Sequence, residues 1–296
     1  MEYYLAILFG ILTAIGWGLA PIFSKRSYED GGNPIVASLM LSIIGFIILL
    51  LLTFVIYSPS IIFEYTLFQV YPFIITGIVG TGFGRFLSYK GVDVLGASVN
   101  SSFIATHSVF AVILAYIFIG EKLTVINFAG IASVVIGLYV VSSSDGGNKS
   151  QKIKFVHLLI PFLAAFFYGV GSVIRRFGFE FVFDIPIIYA TLINEFTALI
   201  LLSTYTVLKK DQVLDSIDIY NYKKFTLSGI FNIFGTSSSF AALSFGPVYI
   251  GSTIGSTSTI ITAIATYIFL GDIETVNKKL YTGGIAVVIG VILVVI

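Results

Sequence analysis

The sequence predicts an all-α polytopic membrane protein of ten transmembrane helices, arranged as two inverted five-helix repeats. Three observations carry that expectation. Of 296 residues, 57% are hydrophobic and 10% charged, with a mean hydropathy of +1.02. A soluble domain carries roughly 25% charged residues, so most of this surface must face lipid. Ten apolar runs approach the length of about 20 residues that a bilayer-spanning helix needs. Finally, the chain repeats itself: Tyr116-Ile117-Phe118-Ile119-Gly120-Glu121 returns 151 positions later as Tyr267-Ile268-Phe269-Leu270-Gly271-Asp272. Val134-Val135-Ile136-Gly137 returns 153 positions later as Val287-Val288-Ile289-Gly290, and Trp17-Gly18 matches Tyr168-Gly169 at 151. A period of this length marks a duplicated unit.

The first run, Tyr3 to Ser24, stops at Lys25-Arg26 and the turn-rich 28–34. The second, Ile35 to Ile56, stops at Tyr57-Ser58-Pro59. The third, Phe68 to Lys90, holds Gly77, Gly80, Gly82 and Gly84. The fourth is Gly96 to Ile119 and the fifth Leu123 to Val141. Polar, glycine-bearing residues follow and read as a linker. They divide the chain into a first repeat, 1–144, a linker, 145–154, and a second repeat, 155–296. The sixth run is Phe155 to Ile174, closed by Arg175-Arg176. The seventh is Ile185 to Leu208, the eighth Phe225 to Phe245, the ninth Val248 to Leu270 and the tenth Leu280 to Ile296.

Five is odd, so a second five-span unit enters the bilayer from the opposite side. That inverted arrangement is the geometry of secondary transporters, with substrate near the midplane between the halves. Thirteen Lys and Arg fall in odd-numbered connections and three in even-numbered ones, which by the positive-inside rule puts both termini outside.

Composition also excludes classes. With no cysteine there is no disulfide or thiolate metal site. A net charge of +1 does not suggest a nucleic-acid partner. The start lacks the basic region of a signal peptide. There is no P-loop, no His-Glu-x-x-His and no Gly-x-Ser-x-Gly, so neither a cofactor nor an enzyme activity is expected. The expected partners are a small-molecule solute and membrane lipid, with a homodimer compatible.

Polar residues inside runs are the candidate site, because a charge at the bilayer centre costs about 2.5–3.5 kcal/mol. Glu195, beside Asn194, is either a proton- or cation-coupling carboxylate, a substrate amine anchor, or half of a structural ion pair. His107 can shuttle protons or simply pack, with Asn100 two turns before it. Arg85 can grip a carboxylate or phosphate by its planar fork, or snorkel. Trp17 and Tyr168 either wall a cavity or pack between helices. Lys25, Arg175 and Arg176 are expected at interfaces. The hydroxyls of Thr236 to Ser239 and Ser252 to Thr259 are expected at close helix contacts. The Glu121 and Asp272 turns are expected to end helices.

The matched motifs resemble the drug/metabolite transporter superfamily, EamA-type branch. They are Gly91-Val92, Gly96-Ala97-Ser98, Ala115 to Thr124, Gly130 and Gly137 in the first half. In the second they are Ala242 to Tyr249, Tyr267 to Asp272, Gly283 and Gly290. The resemblance implies a secondary transporter of the cell membrane moving an amino acid, metabolite or drug, often outward, with cytoplasmic termini against the charge count. It implies a cavity between spans one, three, four, six, eight and nine, faced by Glu195. A sugar or nucleotide-sugar carrier, or a passive channel, is the alternative. One departure is that Ser108, and its counterpart Thr259, stand where the family often has a hinge proline.

Overall fold

The structure, a computed structural model, describes residues 2–29, 32–120, 124–142, 147–148, 154–182, 185–209, 219–275 and 278–295. Glu121 and most of the linker 145–154 lie outside these residues. The helices are α1 (Glu2–Glu29), α2 (Pro34–Ile56), α3 (Leu67–Leu95), α4 (Ala97–Phe118), α5 (Val125–Ser142), α6 (Phe155–Phe177), α7 (Ile187–Leu208), α8 (Ile219–Phe245), α9 (Val248–Phe269) and α10 (Lys278–Val295). Among the described residues, seven helices are long and apolar enough to cross a membrane. These are α1 to α4, α6 (extended to Glu180), α7 and α9. Side chains such as Leu51, Val55, Leu163 and Ile264 are exposed. They form the apolar exterior expected of a multi-pass integral membrane protein.

Local sequence explains the boundaries. Asn33 caps α2, its Oδ1 accepting the Ile35 N–H at 2.8 Å with Pro34 at the first helical position, a usual helix start. α3 and α4 are parted by Gly96 at φ 90°, a conformation that favours glycine. Within α3, Gly77–Gly84 winds as a π-helix. Four of its eight residues are glycines, and π segments often mark functional sites.

The duplication is visible in the contacts. α1 packs on α8 and α9, as α6 packs on α3 and α4. A Cβ at Gly18 would meet Ile261 and the Ser258 carbonyl; one at Gly169 would meet Phe110 and the His107 carbonyl, the same positions 151 earlier. Gly235 lies against the Trp17 ring and Gly84 against the Tyr168 ring. Even the ion pairs repeat, Lys25 with Glu29 at 2.9 Å and Arg176 with Glu180 at 2.8 Å.

One equivalent pair, α5 and α10, packs together antiparallel. In α5 and α10, Gly137 faces Gly283 and Val287, while Gly290 faces Gly130 and Val134, all with backbone atoms of the partner under 3 Å from the virtual Cβ. Ser133 donates to the Ala286 carbonyl at 3.0 Å. Small residues let the two backbones approach closely.

A short antiparallel pair joins Gly147–Asn148 to Glu274–Thr275. It ties the described piece of the linker to the hairpin between α9 and α10.

Candidate functional site: a central cavity beside a buried charge layer

α4 and α9 are both broken at mid-length, at matching places. α4 divides into Ala97–Ile104 and His107–Phe118, and α9 into Val248–Ser256 and Ser258–Phe269. No proline makes the break. Thr106 Oγ1 donates to the Phe103 carbonyl at 2.7 Å, and Thr257 Oγ1 to the Ile254 carbonyl at 2.6 Å. A hydroxyl that takes a backbone carbonyl competes with the helical ladder and bends it. Ser108 and Thr259, where a proline was considered, hold the breaks together. Ser108 donates to the Ala105 carbonyl at 2.9 Å, and Thr259 crosses to the Ser101 carbonyl at 2.9 Å. Ser256 also reaches Ala105 O, at 3.1 Å. Ser256 and Thr259 of the α9 hydroxyl run are thus at a helix contact.

A cavity of about 60 Å³ opens at these breaks. Its walls come from α1, α3, α4, α6, α8 and α9, three helices from each half. Trp17 and Tyr168 lie nearly parallel, 24° between planes, with ring centroids 6.3 Å apart. His107 stands edge-on to both, at 5.9 and 6.5 Å. Asn100 and Asn232 complete the polar wall, and Asn232 donates to the Tyr89 hydroxyl at 3.3 Å. The His107 Nδ1 faces the Ile104 carbonyl at 3.1 Å, so the neutral ring carries its proton there and its Nε2 is an acceptor. Among the described residues that Nε2 has no hydrogen-bond partner. Four expected residues, Trp17, Tyr168, His107 and Asn100, therefore meet in one chamber. Among the described residues, no charged side chain lines it.

Glu195 does not line it. Both its oxygens accept from Arg85, Nη1 at 2.8 Å and Nη2 at 2.6 Å, and Arg85 Nη1 also donates to Ser42 at 2.8 Å. Arg85 is 2% exposed and Glu195 0%. The expectation that Glu195 faces the cavity is corrected here: the fork of Arg85, on the facing turn of α3, claims the carboxylate. Arg85 likewise does not snorkel. Asn194 accepts from Thr76 at 2.9 Å and exchanges hydrogen bonds with Thr81, clamping α7 to the π segment of α3.

Sequence reasoning missed two buried cations. Lys25, expected at an interface, is 1% exposed and paired with Glu29. Arg175, also expected there, is 2% exposed. It donates to Thr81 at 3.4 Å, its guanidinium lies 4.6 Å over the Phe240 ring, and its Nε has no partner among the described residues. A cation–π contact contributes about 2 kcal/mol when desolvated, against several kcal/mol for burying an ion. Arg176, by contrast, keeps its interface place, 17% exposed. Adjacent residues differ by 100° about a helix, so only the neighbour's burial could have flagged Arg175.

One end of the bundle is closed by charge. Arg26 at the end of α1 pairs with Asp272 at 2.5 Å. Glu274, 1% exposed, accepts the backbone N–H of Ala97 at 2.6 Å and of Ser98 at 3.3 Å. It thereby caps α4, where a carboxylate is favourable. Burial lifts the Glu274 carboxyl above the usual range, and those two N–H groups pull it partly back. The hairpin of the second half thus clasps two cavity helices of the first.

Comparison with known proteins agrees with this duplicated architecture. A family model described as "EamA-like transporter family" matches residues 4–143 and again 155–296. An uncharacterized protein of Methanocaldococcus jannaschii is 28% identical over 140 residues, covering 47% of this chain and 98% of that protein. It is therefore about as long as one repeat. A solved crystal structure, 16% identical, matches with a TM-score of 0.67 over 97% of this chain and 95% of its own, a likeness of fold alone.

Proposed function

The chain belongs to the EamA-like transporter family, and on that premise we propose that it carries a small organic solute across the membrane by alternating access. In this reading ten spans form two inverted five-helix repeats, and Trp17, Tyr168, His107 and Asn100 wall the solute chamber. The observation that carries it is the coincidence of the cavity with the matched breaks in α4 and α9, midway between the halves. Discontinuous helices at the midplane give a carrier both its site and its bending points. The clasp of Arg26–Asp272 and Glu274 supports a gated carrier over a permanently open channel.

Glu195 is assigned a positioning role. Its two-pronged pairing with Arg85 ties α7 to α3. A sugar-like solute is the second reading, favoured by aromatic faces beside Asn100, Asn232 and Ser88.

The chain has no cysteine, so single-cysteine labelling needs no background removal. Ser258→Cys, on the cavity wall, should react with a membrane-impermeant maleimide from either side of oriented vesicles. Linking Arg26→Cys to Asp272→Cys should then block reaction from that side only. Labelling from one side alone, in every condition, would refute alternating access.

A further inference from the structure

We propose that the solute carried through this chamber bears an anionic oxygen group, a carboxylate or phosphate, and that Arg175 attracts it. The proposal rests on the carrier reading above and adds the substrate's charge. Its basis is a charge imbalance. Against the cavity lies a buried layer of two guanidinium groups, Arg85 and Arg175, and one carboxylate, Glu195. Arg85 takes that carboxylate by both oxygens. Arg175 is left with a weak bond to Thr81, a phenyl face and an unpartnered Nε.

The surplus charge is close to the chamber. Arg175 follows Tyr168 by two helical turns on one face of α6. A Cβ at Gly80 would lie 3.4 Å from Arg175 Nη2 and one at Gly84 3.1 Å from the Tyr168 ring, so both side chains face the same glycine-rich turn of α3. Arg85 lies one turn before Ser88 and Tyr89, which line the chamber. The other charges near the chamber sit at the clasped end, where Lys25 pairs with Glu29 and Arg26 with Asp272, and where Lys90, Asp93 and the α4-capping Glu274 lie among them. Uncompensated positive charge in a low-dielectric wall draws anions and repels cations. The arginine fork also suits an oxyanion better than a compact point charge would.

The chain supplies its own probe. Trp17 is its single tryptophan and stands in the chamber wall. Its fluorescence should be quenched by acrylamide, iodide and caesium added to the full-length protein in neutral-lipid vesicles, each normalised to free tryptophan amide. A unit charge about 10 Å away at an effective dielectric of about 20 enriches an anion roughly tenfold. Caesium is depleted by the same factor, so iodide should out-quench caesium by its square, on the order of a hundredfold. Arg175→Gln should bring the ratio near one, with acrylamide unchanged, and Arg175→Lys should keep the ratio high. Caesium quenching as efficient as iodide in the unmodified protein overturns the proposal, whether or not the variants fold. So does a ratio unmoved by Arg175→Gln. Trp17 unreachable by acrylamide would instead sink the chamber, and with it the carrier reading.

Discussion

Replacing Glu195 with glutamine tests whether the Arg85 pair is structural. Both partners are essentially dry, and the two hydrogen bonds of 2.8 and 2.6 Å are charge-assisted. Removing one partner of a buried pair costs about 3–5 kcal/mol, because the other charge is left uncompensated. A glutamine keeps one acceptor, so the lower bound applies. It also raises the buried layer from one surplus positive charge to two, since Arg175 has no carboxylate of its own. At about 2–4 °C per kcal/mol, Glu195→Gln should melt roughly 6–12 °C below the unmodified protein. The assay is thermal unfolding in detergent followed by circular dichroism. Arg85→Gln should be similarly destabilised. The double change Arg85→Met with Glu195→Met should recover most of the loss, as apolar replacements of buried pairs do. A Glu195→Gln variant melting within about 1 °C of the parent would refute this reasoning. It would mean that the pair contributes little to stability, and that its positioning role is wrong.

Other outcomes follow from the same contacts. Gly137→Ala and Gly290→Ala should each disrupt the α5–α10 crossing, since both virtual Cβ atoms meet backbone under 3 Å away. Similar melting losses from the two would reflect their symmetry, and a tolerated alanine at either would deny it. Thr106→Val and Thr257→Val each remove one hydroxyl-to-carbonyl bond worth about 1 kcal/mol. They should straighten α4 and α9 and slow exchange of the chamber between the two sides, read as the rate of Ser258→Cys labelling. For Glu274 the sign is fixed by burial, which raises its carboxyl above the usual range. A raised group favours the fold when protonated, so its contribution is present below the unfolded value of about 4.3 and lost as pH rises through the folded one. Acidifying from neutrality should therefore raise the melting point, and Glu274→Gln should flatten that rise. An identical pH slope in the variant would exclude Glu274 as the source.

Much of this molecule was legible in the sequence because duplication writes geometry twice. The offset of 151 that matches Trp17 with Tyr168 also matches Gly84 with Gly235, each glycine seating the opposite aromatic ring. Periodicity and repeats report what a chain does locally. They could not report that Arg85 and Glu195, 110 residues apart, share a bond, because tertiary distance leaves no trace in spacing. Nor could they separate Arg175 from Arg176, one step along a helix yet facing core and surface. The breaks in α4 and α9 were hidden for a different reason. A threonine in an apolar helix usually bonds its own preceding turn without consequence. Whether Thr106 and Thr257 bend the helix depends on the neighbours, Ser256 and Thr259, that stabilise the open turn.

The repeated ion pairs have a further meaning for a carrier. Lys25–Glu29 and Arg176–Glu180 are one device copied into the two halves, yet Lys25 is 1% exposed and Arg176 17%. Two copies of the same hardware thus sit in unequal settings, one shut and one slack. On the alternating-access reading proposed above, exchanging the postures of the two copies gives the opposite-facing conformation, in which Arg176 would be buried and Lys25 would meet water.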